Sequence, residues 1–318
     1  MHVKEKKILF FRDFEKFSGG HLKVWHYFNH FNHPNNEKYE PYISFTQNSL
    51  WDATNPWLPI KSKVLSTINE IEPDIIFLAG LDWLRIPELK NYSESIPIIN
   101  LIQHVRHGLA DTTLYSFLKN KAIRVCVSEQ VTKALTQTGL VNGPIYTITN
   151  GIDLQTIPVP LPFKGRSIDI LIAGLKQPQL AKRLCDKLGG VNKRIVVLTD
   201  QMAQFEYLTL VNNSKITIFL PDFEEGFYLP PLEAMFMQTF VICPDCIGNR
   251  SFCLPNYNCF RPPYTFDDIL SSVYLALSLS VYDQQQLLSN AKLTALKYNL
   301  QTEREAFYEI LNNLQEIW

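Results

Sequence analysis

The stretch IPVPLPFKGRSIDILIAG, residues 157–174, divides the chain into two parts that follow the same pattern. Three prolines alternate with apolar residues over its first six positions, which disfavours a helix and is typical of an extended, semi-rigid connector. The apolar run that follows, 168–174, has the length of a buried strand and begins a new alternation of strands and helices. We therefore predict two α/β domains joined near residues 150–165.

Short β-rich runs alternate with helical stretches on both sides of this connector, which indicates parallel sheets built from βαβ units. The predicted strands are 7–11, 42–45, 74–80, 97–102, 122–128, 144–150, 168–174, 194–200, 215–221 and 239–243. The apolar stripe Val64, Leu65, Ile68 and Ile71 predicts a helix, as do 129–138, 178–188, 203–212 and 301–317. The fold class is therefore α/β with two Rossmann-like domains, whose parallel sheets are expected to face a central cleft that binds ligands.

The predicted domain boundaries follow from the same pattern. Residues 1–155 form the first domain, which is expected to take the acceptor side, and residues 156–300 form the second, nucleotide-binding domain. Residues 301–318 form a C-terminal helix that is expected to pack back toward the first domain.

Composition excludes several classes of protein. The 318 residues are 46% hydrophobic and 19% charged, as in a globular protein. The net charge of −1 argues against nucleic acid as a partner. No apolar run reaches the ~18 residues of a membrane-spanning helix, and the first one ends at Arg12, too early for a signal peptide. We expect a cytoplasmic protein with reduced cysteines, and peripheral membrane contact stays open.

Two carboxylates, Glu225 and Glu233, flank the turn in EEGFYLPPLEAM, residues 224–235. A carboxylate can accept hydrogen bonds from two neighbouring hydroxyls, such as those of a ribose or a pyranose. Pro231 is predicted to be the first residue of a helix, whose N-terminus is expected to bind an anion. The pattern predicts one acid for each sugar of a nucleotide-diphosphate sugar, with the diphosphate between them. The helix dipole alone would also explain a single glutamate at position 233.

The longer stretch FLPDFEEGFYLPPLEAMFMQTFVIC, residues 219–243, resembles the signature of retaining nucleotide-sugar glycosyltransferases of the fourth sequence family, which have the GT-B fold. That family has a glutamate, seven residues and a second glutamate, which Glu225 and Glu233 match. Similar pieces occur in the same order at FSGGH (17–21), NGID (150–153) and ILIAGLK (170–176). Tyr228 stands where the family usually has the second glycine of Gly-Phe-Gly, a departure that could reshape the sugar pocket.

The resemblance implies roles for individual residues. Glu233 would hold the donor ribose, and Glu225 would contact hydroxyls of the transferred sugar. The backbone of the turn between the two acids would contact the sugar and the phosphates. This turn consists of Gly226, Phe227, Tyr228 and Leu229. Glycines 19 and 20 (Gly19, Gly20) would let the first loop approach the donor closely.

The basic residues are harder to assign, because this chain has AGLKQPQLAKRL where the family has Gly-Arg followed by a lysine. The diphosphate could be neutralised by Lys176, Lys182 or Arg183. Arg250, in the loop after strand 239–243, is a candidate phosphate or acceptor contact.

Histidines are confined to the first third of the chain. His104 follows strand 97–102 and best matches a family histidine that approaches the donor sugar, although a structural role is the alternative. Histidines 21, 26, 30 and 33 are expected to decorate a helix and its exit. They lack the accompanying carboxylates of a metal site.

Four cysteines fall within CPDCIGNRSFCLPNYNC, residues 243–259. Their spacing leaves two interpretations open. They could form a structural zinc site, or they could be buried apolar thiols, since the second tight C-x₂-C element is missing.

The resemblance implies an enzyme that transfers a sugar with retention and without a cofactor or metal, consistent with the lack of an Asp-x-Asp motif. The expected partners are a nucleotide sugar and a saccharide or lipid-linked acceptor, in bacterial surface-glycan assembly. Two alternatives stay open: a sugar-nucleotide epimerase or hydrolase of the same fold, and a non-catalytic subunit that binds a partner glycosyltransferase.

Overall fold

The computed structural model describes residues 5–318 except 17, 34, 35, 37 and 91, and it leaves the side chains of 61 and 62 undescribed. The first residue of the FSGGH stretch therefore lies outside the described residues. The chain divides into two compact units: unit 1 is Met1–Thr149 with Glu303–Trp318, and unit 2 is Asn150–Thr302. The C-terminal segment thus belongs to unit 1. The divisions fall within a few residues of positions 155 and 300.

In the described part of unit 1, seven parallel strands form a single sheet in the order β3-β2-β1-β4-β5-β6-β7. The strands are β1 (Lys6–Arg12), β2 (Tyr39–Phe45), β3 (Val64–Leu65), β4 (Ile75–Ala79), β5 (Ile98–Ile102), β6 (Ile123–Cys126) and β7 (Ile145–Thr147). The α-helices are α1 (Gly19–His30), α2 (Thr113–Ser116) and α3 (Glu129–Thr136). The chain moves to one side of β1 for β2 and β3 and returns to its other side for β4. The topological switch point therefore lies between β1 and β4.

The helix predicted over 64–71 is wrong. Val64 and Leu65 form the edge strand β3, and turns follow. The carboxylate of Glu70 accepts hydrogen bonds from the Ser66 hydroxyl and from the Thr67 N–H, at 2.6 Å for the latter. Such local side-chain bonds compete with helix formation. Leu65 and Ile68 of the stripe are nevertheless buried in the core of unit 1, and the partly buried Ile71 packs against them.

Unit 2, which is described without gaps, contains four parallel strands in the order β11-β10-β8-β9. The strands are β8 (Ile168–Ala173), β9 (Ile195–Leu198), β10 (Ser214–Phe219) and β11 (Phe240–Ile242). The helices are α4 (Pro178–Leu188), α5 (Gln204–Asn212), α6 (Pro230–Phe236), α7 (Phe266–Ser278) and α8 (Val281–Lys297). The strand order reverses between β8 and β10, so ligands are expected at the carboxyl ends of these two strands.

The proline-rich stretch predicted as a connector is packed onto unit 2. Asn212 binds it at two points: its amide nitrogen donates to the Val159 carbonyl at 2.9 Å, and its Oδ1 accepts from the Leu161 N–H at 3.0 Å. The buried guanidinium of Arg166 donates to the carbonyls of Ser214, at 2.8 Å, and Met237, at 2.5 Å. Residues 158–162 form neither a helix nor a strand, Phe163–Gly165 form a short 3₁₀ turn, and these bonds make the stretch part of unit 2.

The NGID stretch needs its glycine for a close backbone approach. Ile152 donates its N–H to the Tyr298 carbonyl at 2.9 Å and accepts from the Leu300 N–H at 3.1 Å. A Cβ on Gly151 would lie 2.3 Å from the carbonyl carbon of Asn299. Any larger residue at 151 would therefore separate the two paired segments.

Helices α9 (Leu300–Asn312) and α10 (Leu314–Ile317) complete the chain. The Glu303 carboxylate of α9 forms an ion pair with Lys23 of α1. A second oxygen of the same carboxylate lies 3.0 Å from His30 Nε2. All these side chains are buried, and His26 Nδ1 lies 3.2 Å from the Lys23 ammonium. His26 and His30 lie on a helix as expected, and their side chains are buried rather than exposed. Burial lowers the pKa of both histidines, which are neutral here.

None of the helices in the described part of the chain combines the length and the apolar character needed to cross a bilayer.

Candidate functional site

Two loops meet at the switch point of unit 2, one after β8 and the other after β10. Lys176 is in the first loop, and its Nζ contacts the carboxylate of Glu225 in the second. The same Nζ lies 3.7 Å from Asp222 Oδ2 and 5.7 Å from the centre of the Tyr228 ring. The structure thus brings together one of the candidate cations and the first of the two predicted acids.

The other two candidate cations lie elsewhere. Lys182 and Arg183 are exposed on α4, and the Arg183 guanidinium lies 4.8 Å from the centre of the Phe266 ring. Lys176 is therefore the candidate that contacts the acidic turn. The glycine before it has a packing role, since a Cβ on Gly174 would lie 2.3 Å from the Cβ of Ala181.

The second predicted acid, Glu233, is buried in the first turn of α6 with only 9% of its surface exposed. Desolvation by this burial raises the pKa of its carboxyl to about 7. Tyr207 of α5 lies close enough that burial and then the Glu233 charge raise the pKa of its phenol. Burial first, and then the charge of Tyr207, raise the pKa of the Tyr228 phenol.

The start of α6 differs from the expected anion site. Pro230 and Pro231 occupy its first two positions and have no N–H. The next two N–H groups, of Leu232 and Glu233, both donate to the Leu229 carbonyl, at 2.9 and 3.3 Å. The first four positions of this seven-residue helix therefore offer no N–H to a phosphate. A proline at the first position sacrifices nothing, but the Pro-Pro step removes a donor that an anion site would use.

The turn itself is buried, and part of its backbone is engaged. Gly226, Phe227, Tyr228 and Leu229 are all buried. The Tyr228 N–H donates to the Gly248 carbonyl at 2.9 Å, so this amide is not available to a ligand. Its ring packs edge-on against Phe219 at 6.3 Å between centres. Contacts of the other turn residues with a donor stay predictions.

Gly248 holds the turn in place, and the sequence analysis did not single it out. A Cβ on Gly248 would lie 2.8 Å from the Glu225 carbonyl oxygen and 2.9 Å from both the Glu225 Cβ and the Tyr228 nitrogen. The neighbouring Ile247 donates its N–H to the Phe223 carbonyl at 3.0 Å. The loop after β11 therefore supports the acidic turn by direct backbone contact. The sequence carries no pattern that links this glycine to the acidic turn.

Arg250, the candidate phosphate or acceptor contact, is bound within the protein. Its guanidinium donates to Asp245, from Nη2 at 2.6 Å and from Nε at 3.2 Å, and this pairing raises the pKa of Arg250. The Nε of Arg261 lies 3.5 Å from the same carboxylate. The guanidinium of Arg250 also lies 5.6 Å from the centre of the Phe223 ring. Direct contact with a ligand stays a prediction for this residue.

The four cysteines of 243–259 are free thiols buried under the same loop. The Cys243 sulfur accepts from the amide nitrogen of Asn249 at 3.1 Å, and that amide also donates to the Pro244 carbonyl at 2.9 Å. No group of three or more His, Cys, Asp or Glu side chains among the described residues has the arrangement of a metal site. Both interpretations of these four cysteines stay predictions.

The predicted residues of unit 1 lie in neighbouring loops on its sheet. A Cβ on Gly19 would meet no atom within 4 Å, and one on Gly20 would be in ordinary contact with Gln103, at 3.8 Å. The Gln103 side chain donates to the Gly20 carbonyl at 3.2 Å, which joins the loop after β5 to the start of α1. Packing within unit 1 thus does not require glycine at position 19. The predicted approach of a donor to these glycines is untested.

His104, directly after Gln103, has a defined protonation pattern. Its Nδ1 accepts from the N–H of Arg106 at 3.1 Å and from Arg106 Nε at 3.3 Å. A neutral imidazole that accepts at Nδ1 has its proton on Nε2, which makes Nε2–H a donor. Its neighbour His107 is buried, and burial first, then the charges nearby, lower the pKa of that imidazole to about 3.

Comparisons with known proteins establish the fold. No model of a known protein family matches the chain, and no curated protein matches its sequence. Several solved structures are similar to this chain over nearly their whole lengths. Anabaena HepE, solved in complex with UDP-glucose, has a TM-score of 0.75 at 13% identity, over 96% of this chain and 99% of that chain.

Two further similar structures carry the names of enzymes. Sucrose-phosphate synthase from Thermosynechococcus elongatus has a TM-score of 0.74 at 10% identity, over 98% of this chain and 100% of that chain. The lipopolysaccharide outer core galactosyltransferase WaaB has a TM-score of 0.68 at 15% identity, over 96% and 99%. This chain therefore has the α/β GT-B fold that the sequence predicted.

Proposed function

We propose that this chain is a retaining, metal-independent glycosyltransferase that moves a sugar from a nucleotide-diphosphate donor to a hydroxyl of a saccharide or lipid-linked acceptor. The observation that carries the proposal is the contact between Lys176 and Glu225 at the switch point of unit 2, on the turn that leads to the buried Glu233 of α6. This contact supports the proposal because it joins a cation suited to a diphosphate and a carboxylate suited to sugar hydroxyls on two adjacent loops, and the second carboxylate follows in the first turn of α6.

Glu233 is proposed to bind the ribose. A buried carboxylate accepts hydrogen bonds but cannot donate them once it is ionised, so two adjacent hydroxyls are a suitable partner. Burial without a nearby cation disfavours the charged form, which is why its pKa is raised to about 7. Two hydroxyl donors would offset this cost.

Lys176 is proposed to exchange partners when the donor binds. The Lys176 side chain is 40% exposed, and its ammonium is shared by Glu225 and Asp222, both acceptors that a diphosphate could replace. A diphosphate oxygen forms charge-assisted hydrogen bonds with such a cation and keeps its negative charge as it departs. The exchange would also free the Glu225 carboxylate to accept from hydroxyls of the transferred sugar.

Retention is proposed to occur on one face of the sugar. Glu225 is paired with a lysine and serves hydroxyl groups in this proposal, so no carboxylate acts as a nucleophile. The acceptor oxygen forms its bond to the anomeric carbon as the diphosphate oxygen leaves, and the departing phosphate takes the acceptor proton. His104, as an Nε2–H donor, is proposed to bind a sugar hydroxyl or a phosphate.

The similar structures suggest which ligands to test first. HepE was solved with UDP-glucose and with UDP, and WaaB is named as a lipopolysaccharide galactosyltransferase. A UDP-sugar donor, a role in surface-glycan assembly, a cytoplasmic location and peripheral membrane contact are therefore parts of the proposal.

A thermal-shift screen against UDP, GDP, dTDP and their glucose conjugates tests donor binding. We expect one nucleotide to raise the melting temperature of the wild-type protein and to have little effect on Glu233→Ala. Full donor affinity in Glu233→Ala would refute the assignment of this residue, and no shift with any nucleotide would refute the function and favour the non-catalytic alternative.

Turnover assays then separate the enzymatic alternatives. A transferase consumes the donor quickly only when an acceptor is added, whereas an epimerase or a hydrolase acts on the donor alone. Rapid donor consumption without an acceptor would therefore overturn the proposed reaction while leaving nucleotide binding intact.

A further inference from the structure

An aromatic ring lies beside the candidate sugar site with half of its surface exposed. Phe223 is two residues before Glu225 and is 50% exposed. Its backbone is fixed, because its carbonyl accepts from the Ile247 N–H at 3.0 Å. An apolar ring exposed to water is unfavourable by itself, so its position next to the acidic turn calls for an explanation.

The guanidinium of Arg250 lies over the Phe223 ring and is itself fixed by an ion pair. The Arg250 guanidinium lies 5.6 Å from the ring centre, within the range of a cation–π contact. Asp245 fixes that guanidinium through the hydrogen bonds already described and is itself fixed, since its N–H donates to the Pro262 carbonyl at 2.9 Å. The ring is thus supported by an ion pair rather than by a mobile side chain.

Charged residues flank Phe223 in the sequence and contact one another. Asp222 precedes it, Glu225 follows within two positions, and Lys176 contacts both carboxylates. A pyranose has the complementary surface: C–H groups on its faces and hydroxyls around its edge. The C–H groups carry partial positive charge and suit the negative face of an aromatic ring, while the edge hydroxyls suit carboxylates.

We propose that Phe223 is a stacking platform for a pyranose ring, and that Arg250 and Asp245 position it. The inference rests on the proposed function and adds a subsite to it. The pyranose could be the transferred sugar of the donor or a sugar of the acceptor, and the two sources share the chemistry on which the platform acts.

The test uses four variants of the full chain. Phe223→Ala removes the ring, Phe223→Leu keeps apolar bulk without aromaticity, and Phe223→Trp keeps the aromatic face. Tyr282→Ala is the matched control, because Tyr282 is a 68% exposed aromatic at the start of α8.

The donor arm measures the affinities of UDP and UDP-glucose by calorimetry. If the transferred sugar stacks on Phe223, Phe223→Ala and Phe223→Leu lower the affinity for UDP-glucose by about three- to tenfold and leave the affinity for UDP unchanged. The acceptor arm measures saturation-transfer NMR signals of lactose in the presence of UDP. If an acceptor sugar stacks there, the lactose signal falls in the same two variants and persists in Phe223→Trp and Tyr282→Ala.

Either pattern supports the platform and identifies its sugar. The proposal is overturned if Phe223→Ala changes neither the UDP-glucose affinity nor the lactose signal, which includes the case in which wild-type protein gives no lactose signal. The proposal is also overturned if Phe223→Trp lowers the UDP-glucose affinity or the lactose signal as much as Phe223→Ala does. Failure of UDP to bind the wild-type protein would instead count against the proposed function, so the two failures are distinguishable.

Discussion

The α-carbon of Gly248 approaches Glu225 so closely that a methyl group on it would lie 2.8 Å from the Glu225 carbonyl oxygen. The Gly248 carbonyl meanwhile accepts from the Tyr228 N–H at 2.9 Å. One glycine in the loop after β11 therefore fixes the start and the middle of the acidic turn. Because backbone atoms make these contacts, no rotation of a side chain could relieve an added methyl.

We expect Gly248→Ala to impair the proposed transfer more than it impairs folding. The methyl group must displace the Glu225–Tyr228 turn by a few tenths of an ångström or more, and a misplaced site group can cost about a hundredfold in rate. Steady-state kinetics and a melting curve measure the two effects.

Gly165→Ala is the control for this prediction, because a Cβ at 165 meets no atom within 4 Å. Activity of Gly248→Ala equal to that of Gly165→Ala would show that the turn tolerates the displacement, and the positioning role of Gly248 would then be lost.

Lys176 and Lys182 allow a direct test of which cation neutralises the diphosphate. We expect Lys176→Gln to weaken UDP binding by about ten- to hundredfold, because a hydrogen bond to a charged group is lost. Lys182→Gln, an equal change on the exposed face of α4, should have little effect.

Calorimetry at two salt concentrations measures both variants. If Lys182→Gln binds UDP weakly and Lys176→Gln binds it normally, the phosphate site lies on α4 instead. A loss in Lys176→Gln that Lys176→Arg restores would confirm that the charge is the cause.

Local patterns predicted the fold of this chain well. Runs such as 74–80 and 168–174 are apolar without alternation, as expected of strands buried on both faces, and both became central strands. The stripe at Val64–Ile71 failed because burial alone does not distinguish a helix from turns. There the hydrogen bonds of the Glu70 carboxylate decided the local structure.

The candidate site was predictable only in part. The spacing of Glu225 and Glu233 identified the two acids, but sequence could not show that Lys176 rather than Lys182 reaches them, because that depends on how two loops meet. The expected anion site at the start of α6 ignored the second proline, which removes a donor that the first alone would not. Gly248 acts through backbone contacts between loops 20 residues apart, for which a single sequence gives no pattern.

Glu303 is expected to stabilise unit 1 through its buried ion pair with Lys23. Burial alone would raise the pKa of Glu303, but the Lys23 charge and the His30 hydrogen bond lower it to about 2. Glu303→Gln leaves the Lys23 ammonium buried without its counter-ion, which typically costs about 3–5 kcal/mol of unfolding free energy. Glu309→Gln, on the exposed side of the same helix, should change stability by less than about 0.5 kcal/mol.

The same cluster predicts sensitivity to acid. The unfolded chain protonates its histidines near pH 6.5, whereas burial keeps the pKa of His26 and His30 below that value in the folded state. Stability should therefore fall as the pH drops below about 6.5, and the contribution of Glu303 is lost further down, as the pH falls from about 4.5 toward 2. Urea denaturation at pH 7.5, 6 and 5 measures the first part. An unchanged unfolding free energy over this range would contradict it.

The raised pKa of Glu233 predicts opposite effects of pH on stability and on donor binding. The folded state keeps its proton up to about pH 7, while the unfolded carboxyl loses its own near 4.5. Stability is therefore lost as the pH rises through this window, by at most about 3 kcal/mol. Glu233→Gln, which cannot ionise, should be more stable than the wild-type protein at pH 8 and about equally stable at pH 5.

Donor binding should follow the ionised fraction of Glu233. If the ribose hydroxyls need the carboxylate, UDP affinity rises about tenfold from pH 6 to pH 8, because the competent fraction rises from about a tenth to about nine-tenths. Uridine, which has the ribose but no phosphate, serves as the second ligand, since its own charge does not change over this range. Glu233→Gln should bind both ligands weakly, and its uridine affinity should be independent of pH. A uridine affinity that is equally flat in the wild-type protein would separate Glu233 from the ribose and leave its burial without a role in binding.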